Sequence, residues 1–459
     1  MMELKDKRVL VVGLGKSGVA SALFLKAHGA RVTVSDTKSG DELRNEIPAL
    51  LDHGITVETG GHGERTFREQ DLIVVSPGVP VDAPMLQQAR SLGEMVIGEI
   101  ELAARFLRGP IVAITGSNGK TTTTTLTGEI LVAGGVPTLV GGNIGTPAIS
   151  LAERAKAESV VVLEVSSFQL ETIQTFRPKV AVVLNVTPDH LDRHRTFEAY
   201  VDAKARMFEN QQGNDFAVLN ADDPTCVAMA ARTRAKVFWF SRQEEVKQGA
   251  YVRDGNILFR DGTQQREIML VSEIPLKGAH NLENVLAAVC SGALMECAPE
   301  KIREAVREFK AVEHRLEFVA TIRGVDYYND SKATNVDATI KALEAFPADI
   351  PPHLHLILGG KDKGSDYTVL HELLRQRVRR VYTIGAAAAK IESQIQGAAE
   401  IDHAETLENA VRRASDSAVA GDVILLAPAC ASFDQFQSYE DRGRVFKETV
   451  HSLAMSRST

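Results

Sequence analysis

Short apolar runs rich in β-branched residues recur along the first part of the chain, separated by longer stretches with apolar positions at helical spacing. Uninterrupted apolar runs are typical of strands buried on both faces of a parallel sheet that has helices packed against it. The runs predict strands at Arg8–Val12, Arg31–Ser35, Leu72–Ser76 and Met95–Ile97. We therefore expect a small α/β domain here.

A second series of the same kind begins at residue 111. Between residues 249 and 275 the pattern changes to short β segments separated by Asp-Gly turns, which predicts an antiparallel patch. Helices after Ala279 and over Pro299–Phe309 are expected to close this larger sheet. Its predicted parallel strands are residues 111–114, Val160–Glu164, Val180–Asn185, Phe216–Asn220 and Lys236–Phe240.

A third α/β series starts near Glu313, and a turn is expected at residues 347–352. A chain of 459 residues exceeds what one hydrophobic core normally organises, which favours two to four domains. The strands predicted in this series are Val325–Tyr328, His355–Leu358, Arg380–Ile384 and Val423–Leu426.

Residues 115–122 read Thr-Gly-Ser-Asn-Gly-Lys-Thr-Thr and follow the apolar run at 111–114. In a glycine-bearing turn between a strand and a helix, backbone N–H groups and the helix dipole converge on one anion. Lys120 would reach the β- and γ-phosphates, and the Thr121 hydroxyl would hold Mg²⁺. The alternative is a turn that merely caps a helix; we favour an ATP site.

A second glycine-rich turn, Gly-Leu-Gly-Lys-Ser-Gly at residues 13–18, follows the first predicted strand, and Asp36 ends the second strand. This layout is typical of a dinucleotide-binding fingerprint. Three interpretations stay open: an NAD site, a turn that serves only helix packing, or a site for the diphosphate of another nucleotide. We favour the third, because the ATP site lies in a different domain.

Polar residues also follow strands of the second sheet. Glu164 ends a buried apolar strand, where an unpaired carboxylate would be costly but one beside Mg²⁺ is stabilised. His190 follows the next strand end, and a solvated loop histidine is its alternative interpretation. Ligands of doubly wound folds collect at this edge, so Glu164, His190 and Thr121 are candidates for one metal shell.

The third series supplies Arg315 in Glu-His-Arg and Asp330 in Tyr-Asn-Asp-Ser-Lys. Arg315 can neutralise phosphate charge that develops during transfer, and Asp330 can accept hydrogen bonds from a ribose or orient the nucleotide. Taken singly, each is equally well explained as a surface group.

Composition narrows the classes of partner. The chain has 52 Lys and Arg against 60 Asp and Glu, a formal net charge of −8, so we expect small-molecule partners and no nucleic acid. The four cysteines show no disulfide or metal-ligand spacing, which favours a reducing cytoplasm. The charged N-terminus lacks the apolar centre of a signal peptide, and no apolar stretch approaches the roughly 20 residues that span a bilayer.

Six motifs along the chain form one set: Thr-Gly-Ser-Asn-Gly-Lys-Thr-Thr, Leu-Glu-Val-Ser-Ser-Phe-Gln-Leu-Glu, Asn-Val-Thr-Pro-Asp-His-Leu-Asp-Arg, Gly-Ala-His-Asn-Leu-Glu-Asn, Glu-His-Arg and Asn-Asp-Ser-Lys-Ala-Thr-Asn. Together they resemble the Mur ligase family of peptidoglycan synthesis. The resemblance covers essentially the whole chain and implies three α/β domains: a Rossmann-like UDP-binding domain (1–98), a central P-loop ATPase-like parallel sheet with a small antiparallel patch (99–311), and a Rossmann-like C-terminal domain that closes over the site (312–459).

The resemblance implies an ATP site and two Mg²⁺ ions. Lys204 matches the lysine that the family carbamylates, a change that would make it N6-carboxylysine. The catalytic residues implied are Lys120, Glu164, His190 and Lys204, and the metal ligands are Thr121, Glu164, His190 and Lys204. The ATP-binding residues implied are Gly116, Ser117, Asn118, Gly119, Lys120, Thr121, Thr122, Thr123, Asn281, Asn284, Arg315 and Asp330.

Within the family, the resemblance implies the member that joins D-glutamate to UDP-N-acetylmuramoyl-L-alanine. The family's Gly-Gly-Asp-Gly-Lys run is here Gly-Gly-Lys-Asp-Lys, so Lys361 and Lys363 are both candidates for the D-glutamate carboxylate, and phenylalanine is more usual at Tyr439. The UDP substrate is expected at Gly15, Lys16, Ser17, Asp36, Thr37, Ser76, Asn143, Ser166 and Gln169. D-glutamate is expected at Lys332, Thr334, Lys363, Ser432, Phe433 and Tyr439.

The implied reaction is ATP-dependent amide formation through an acyl phosphate, in a monomeric cytoplasmic enzyme. One alternative is a ligase of the same superfamily with a different amino acid, folylpolyglutamate synthase included. Another is an NAD-dependent dehydrogenase fused to an ATP-binding module. The dehydrogenase interpretation leaves Glu164, His190 and Lys204 without a purpose.

Overall fold

A computed structural model of the chain describes residues 2–456 except 69, 263, 311, 347 and 349–352, so the turn expected at 347–352 lies almost entirely outside the described residues. The chain divides into two compact units, Met1–Glu273 with Glu283–Glu308, and Ile274–Leu282 with Phe309–Thr459. In the described part of the chain, no helix combines the length and the apolar character needed to cross a bilayer.

The first unit begins with a five-stranded parallel sheet, in the order β3-β2-β1-β4-β5. Its strands are β1 (Arg8–Val12), β2 (Arg31–Ser35), β3 (Thr56–Glu58), β4 (Leu72–Val75) and β5 (Val96–Gly98). The helices are α1 (Lys16–Ala27), α2 (Ile47–Asp52), α3 (Glu64–Phe67), α4 (Pro84–Ser91) and α5 (Glu99–Ala104).

The second sheet has nine strands in the order β14-β13-β12-β11-β10-β9-β6-β8-β7. Its strands are β6 (Ile111–Thr115), β7 (Thr138–Gly142), β8 (Val160–Glu164), β9 (Val180–Val183), β10 (Phe216–Asn220), β11 (Lys236–Ser241), β12 (Gly249–Arg253), β13 (Asn256–Asp261) and β14 (Gln264–Leu270). Its helices are α6 (Lys120–Ala133), α7 (Ser167–Leu170), α8 (Leu191–His194), α9 (Phe197–Ala205), α10 (Pro224–Met229), α11 (Ala279–Leu294) and α12 (Pro299–Glu308), with 3₁₀ turns at Ala148–Leu151, Arg206–Phe208, Ala230–Arg232 and Val271–Glu273. Strands β12, β13 and β14 pair antiparallel, which confirms the antiparallel patch and makes it an extension of the parallel sheet.

The second unit contains a six-stranded sheet in the order β15-β16-β20-β17-β18-β19, in which only the β15–β16 pair is antiparallel among the described strands. Its strands are β15 (Glu317–Ile322), β16 (Val325–Asn329), β17 (Leu354–Gly359), β18 (Val378–Ile384), β19 (Glu400–Glu405) and β20 (Val423–Leu426). Its helices are α13 (Val336–Glu344), α14 (His371–Arg377), α15 (Ala388–Ile395), α16 (Leu407–Ser417) and α17 (Tyr439–Ser456), with a 3₁₀ turn at Thr368–Leu370. The three-sheet α/β fold predicted from the sequence is thus confirmed.

Parallel registry brings the ends of β6, β8 and β9 to one edge of the second sheet. Ile114 pairs with Glu164, and Thr115 pairs with Val183. Consecutive residues of these strands are buried, as expected for central strands of a parallel sheet that is covered on both faces. The segments that follow the three strands are therefore neighbours.

Candidate active site

The glycine-rich turn between β6 and α6 is shaped by its backbone. Gly119 has a φ of 84°, and a Cβ there would lie 2.1 Å from Asn284 Oδ1, so only glycine fits without displacing that amide. The Lys120 ammonium turns back onto its own loop and donates to the carbonyl oxygens of Gly116 and Ser117, at 2.9 Å each. Thr123 donates to Asn284 Oδ1 at 3.3 Å.

Residues after β9 hold this turn in place. The Ser117 N–H donates to the Asn185 carbonyl, and the Asn118 N–H donates to Asn185 Oδ1, at 2.9 Å each. Ser117 Oγ donates to the Thr187 carbonyl at 2.9 Å. Sequence reasoning missed both Asn185 and Thr187, although they lie in the motif that carries His190.

Glu164 and Thr121, expected to share a metal, are in direct contact. Thr121 Oγ1 donates to Glu164 Oε2 at 2.7 Å, and Asn143 Nδ2 donates to Oε1 at 2.9 Å, while Glu164 is buried. Hydroxyl and carboxylate oxygens are the ligands that Mg²⁺ prefers. Among the residues that the structure describes, no group of three or more His, Cys, Asp or Glu side chains could hold a metal ion.

Lys204 and His190 both lie near the ring of Tyr200, a residue that sequence reasoning missed. Lys204 Nζ donates to the Gly116 carbonyl at 2.8 Å and lies 4.5 Å from the centroid of the Tyr200 ring. Burial, and then the charge of Lys120, hold the pKa of Lys204 far below its usual value. His190 packs edge-on against Phe168 at 4.9 Å, and its ring centroid is 6.3 Å from that of Tyr200.

In the first sheet, Asp36 and Ser76 shape the turn at residues 13–18. Asp36 accepts the Leu14 N–H at 2.6 Å and the Lys38 N–H at 2.9 Å, and Ser76 Oγ donates to the Gly13 carbonyl at 2.8 Å. A Cβ on Gly18 would lie 1.9 Å from the Gly13 carbonyl oxygen, so glycine is required by close approach. Of the other residues expected to bind the UDP substrate, Gly15, Lys16 and Ser17 belong to this turn, and Thr37 directly follows Asp36.

Ser166 and Gln169 form a capping box at the start of α7. Ser166 Oγ accepts the Gln169 N–H at 3.3 Å, and Gln169 Oε1 accepts the Ser166 N–H at 2.9 Å. The Asn143 N–H donates to the Glu164 carbonyl at 2.9 Å, so Asn143 contacts the residue two positions before Ser166.

Two buried carboxyl groups on α5 were also missed by sequence reasoning. Glu99 Oε1 accepts the Ile149 N–H at 2.8 Å, whereas Oε2 has no hydrogen-bond partner among the described residues, and burial raises the pKa of Glu99 to about 7. Glu101 accepts the N–H groups of Gln174, Thr175 and Phe176, and these bonds outweigh burial and lower its pKa. Helix α5 is thereby fixed to the second sheet's loops.

The second unit holds the other expected ATP and D-glutamate residues. Asp330 accepts the Leu316 N–H at 3.2 Å, and burial raises the pKa of Asp330 to about 6 although the Arg315 charge opposes the rise. The Lys332 ammonium lies 3.8 Å from the centroid of the Tyr439 ring, and the Thr334 N–H donates to the Lys332 carbonyl. Asn281 belongs to this unit, whereas Asn284 belongs to the first.

Around β20, Ser432 is buried while Phe433 is 68% exposed, and the side chains of Lys361 and Lys363 are exposed. Arg442 was missed by sequence reasoning. It is buried and donates to Ser331 Oγ at 3.0 Å, to the Ser331 carbonyl at 2.7 Å and to the Cys430 carbonyl at 3.1 Å. Nothing in a single sequence marks a helical arginine as buried.

Comparison with protein-family models gives three matches along the chain. The MurD-like N-terminal domain of Mur ligases matches residues 7–98, the Mur ligase middle domain matches 114–292, and the glutamate ligase domain of Mur ligases matches 314–430.

Two curated relatives match over nearly their whole length. The chain is 68% identical over 453 residues to the UDP-N-acetylmuramoylalanine–D-glutamate ligase of Koribacter versatilis, covering 99% of both chains. It is 60% identical over 451 residues to the ligase of the same name from Acidobacterium capsulatum, covering 98% of this chain and 97% of that one.

Solved structures share the fold at low identity. The MurF ligase of Thermotoga maritima in complex with ADP aligns with a TM-score of 0.61 at 17% identity, covering 99% of this chain and 100% of that one. The UDP-N-acetylmuramate–alanine ligase MurC of Thermotoga maritima aligns with a TM-score of 0.60 at 18% identity, covering 97% of this chain and 99% of that one.

Proposed function

The chain belongs to the Mur ligase family, and on that premise we propose that it joins D-glutamate to UDP-N-acetylmuramoyl-L-alanine at the expense of ATP. The observation that carries this proposal is the 68% identity to a relative of that activity over 99% of both chains. The product is a peptidoglycan precursor, and the enzyme releases ADP and phosphate.

The reaction needs ATP because a carboxylate does not react with an amine at neutral pH. The γ-phosphoryl group of ATP passes to the L-alanyl carboxylate and forms an acyl phosphate. The amino group of D-glutamate then attacks the carbonyl carbon, the tetrahedral intermediate collapses, and phosphate leaves as the amide forms. The enzyme therefore has to neutralise phosphate charge and exclude water from the acyl phosphate.

Lys120 and the N–H groups at the start of α6 are suited to the first task. The ammonium already lies within the loop, so a short rotation from the Gly116 and Ser117 carbonyls onto a phosphate exchanges neutral acceptors for a charged one. We propose the same charge-neutralising role for Arg315, and an orienting role for Asp330 on the nucleotide. Asn281 and Asn284 complete the proposed ATP site.

Thr121 and Glu164 would hold Mg²⁺, with His190 and Lys204 as the remaining proposed ligands. Bound Mg²⁺ would offset phosphate charge during transfer. The lowered pKa of Lys204 favours its neutral amine, the form of a lysine that reacts with CO₂. Carbamylation would form a bond from Nζ to the carbon of CO₂, release one amine proton to water and place a carboxylate beside the phosphate loop.

The remaining sites are proposed from the same premise. The turn of the first sheet, with Asp36 and Ser76, would bind the UDP moiety, and Asn143, Ser166 and Gln169 the muramoyl end. D-glutamate would be bound by Lys332, Thr334, Lys363, Ser432, Phe433 and Tyr439. We further propose that the domain boundaries lie between residues 98 and 99 and between residues 311 and 312. We also propose that the protein is a monomer and that it is located in the cytoplasm.

Amino-acid selection tests the proposal. Phosphate release from ATP is measured with UDP-N-acetylmuramoyl-L-alanine and either D-glutamate, L-glutamate, L-alanine or diaminopimelate, and the product is identified by mass. Turnover with D-glutamate alone is expected. Turnover with another amino acid would overturn the substrate while leaving the ATP chemistry, and reduction of a nicotinamide without ligation would favour a dehydrogenase.

A further inference from the structure

The segment after β17, which carries Lys361 and Lys363, is paired with the segment that carries Ser432. The Gly359 N–H donates to the Pro428 carbonyl at 2.9 Å. Lys361 and Ala431 form an antiparallel bridge with one N–H donated in each direction, at 2.8 and 3.1 Å. Lys361 is thus anchored opposite Ala431, the residue that precedes Ser432.

Successive side chains of an extended segment point to opposite faces. In the bridge, Asp362 lies on the face opposite Lys361, and its contacts agree with this. The Tyr367 hydroxyl donates to Asp362 Oδ1 at 2.8 Å and lies 3.0 Å from Cys430 Sγ, so Asp362, Tyr367 and Cys430 occupy the same face. Lys361 is directed away from this cluster.

Asp362 also ends the extended run. Its Oδ1 accepts the Ser365 N–H at 3.0 Å, which closes a turn around Lys363, and its Oδ2 accepts from the Lys390 ammonium at 2.7 Å. Although partial burial opposes the charged form, the bonds from Lys390, Tyr367 and Ser365 lower the pKa of Asp362 to about 2. The carboxylate is therefore charged and fixed at neutral pH, with α15 on one side and the turn on the other.

We propose that Asp362 is a positioning residue that aims Lys363, and not Lys361, at the carboxylate of D-glutamate. The inference rests on the proposed function and deepens it. A lysine on a preorganised turn loses less conformational entropy when it pairs with a carboxylate, so the gain is expected in the affinity for D-glutamate. The family pattern has glycine where this chain has Asp362, and glycine offers no side chain for these bonds.

The test is a set of full-length variants with KM measured separately for D-glutamate, ATP and the UDP substrate. Because D362A removes hydrogen bonds to a charged group, KM for D-glutamate is expected to rise about tenfold or more. K390M should shift the same constant in the same direction, and kcat and the other KM values should stay within about twofold. E400Q is the matched control, since Glu400 forms an exposed pair with Arg380 elsewhere in the same unit.

Double variants separate the two lysines. In a K363A background, D362A should have no further effect on KM for D-glutamate, whereas in a K361A background its full effect should remain. The reverse pattern, or an unchanged KM for D-glutamate in D362A, would overturn the inference. An equal rise in all three KM values with a lower Tm would overturn it too, by making Asp362 merely structural.

If D362A does not fold, D362N and K390M carry the same test, because each removes the ion pair while keeping most of the turn. Failure of the inference and failure of the proposed function are distinguishable. Wild-type enzyme that does not turn over D-glutamate overturns the proposed function. Normal wild-type turnover with unaffected Asp362 variants overturns only the role of Asp362.

Discussion

Glu99 makes the pH dependence of stability predictable at one buried site. Burial raises the pKa of Glu99 from 4.5 to about 7, and this difference corresponds to about 3 kcal/mol in the free energy of unfolding. Between these pH values the folded state binds more protons at Glu99 than the unfolded state does. The stability that Glu99 contributes is therefore fully present below pH 4.5 and is lost as the pH rises through 7.

The perturbation is Glu99→Gln, which keeps an acceptor for the Ile149 N–H and removes the titration. At pH 5, where the carboxyl group is protonated, the variant should be less stable than wild type by about 1 kcal/mol, because two amide N–H donors replace one carboxyl O–H at a position where Oε2 has no partner. By pH 8 wild type has lost about 3 kcal/mol at this site. The stabilities of the two proteins should thus converge between pH 5 and pH 8, or their order should reverse.

Thermal unfolding of both proteins at pH 5, 6, 7 and 8 measures this directly. Taking the difference in Tm at each pH cancels the other titrating groups, and that difference should change by about 5 °C in favour of the variant. Glu101→Gln is the matched control on the same helix. Because the pKa of Glu101 is lowered by its hydrogen bonds, Glu101→Gln should destabilise at every one of these pH values by a constant amount. A constant Tm difference for Glu99→Gln would refute the reasoning.

Three further changes probe the catalytic proposal. Lys120→Ala should lower phosphate release at least about a hundredfold, since it removes the charge that meets the γ-phosphate, and near-normal turnover would contradict the phosphate-loop assignment. Thr121→Val removes the 2.7 Å hydrogen bond to Glu164 and should raise the Mg²⁺ concentration needed for half-maximal activity about tenfold. Thr121→Ser, which keeps the hydroxyl, is the control, and an unchanged Mg²⁺ dependence in Thr121→Val would count against the shared metal shell. With ¹³C-labelled bicarbonate, the wild-type protein should give a carbamate NMR signal that is absent in Lys204→Arg. The same signal in both proteins would show that the carbamate is on another amine.

The fold was predictable where strands are buried on both faces. Val160–Glu164 and Val423–Leu426 were located to the residue, because each is an uninterrupted apolar run in the middle of a sheet. The strands that the apolar pattern missed are mostly sheet edges. Strand β19 is mostly polar, and β7 ends in two glycines, so neither carries the run that marks a central strand.

The candidate site was predictable where a motif fixes the backbone, as at Gly119 and Lys120. It was not predictable where a residue acts through burial by distant segments. Glu99 is paired with Ile149 and Arg442 with Ser331, and no local pattern announces either contact. The sequence marks Asp362 only as a departure from a family pattern, because its partners Tyr367 and Lys390 come from tertiary packing.

The central claim is that ATP activates the L-alanyl carboxylate as an acyl phosphate before D-glutamate attacks. The most direct test uses UDP-N-acetylmuramoyl-L-alanine with heavy oxygen in that carboxylate, together with ATP and D-glutamate. One labelled oxygen per turnover should appear in the released inorganic phosphate, because the acyl–oxygen bond breaks when the amine displaces phosphate. Ligated product formed with unlabelled phosphate would contradict the account.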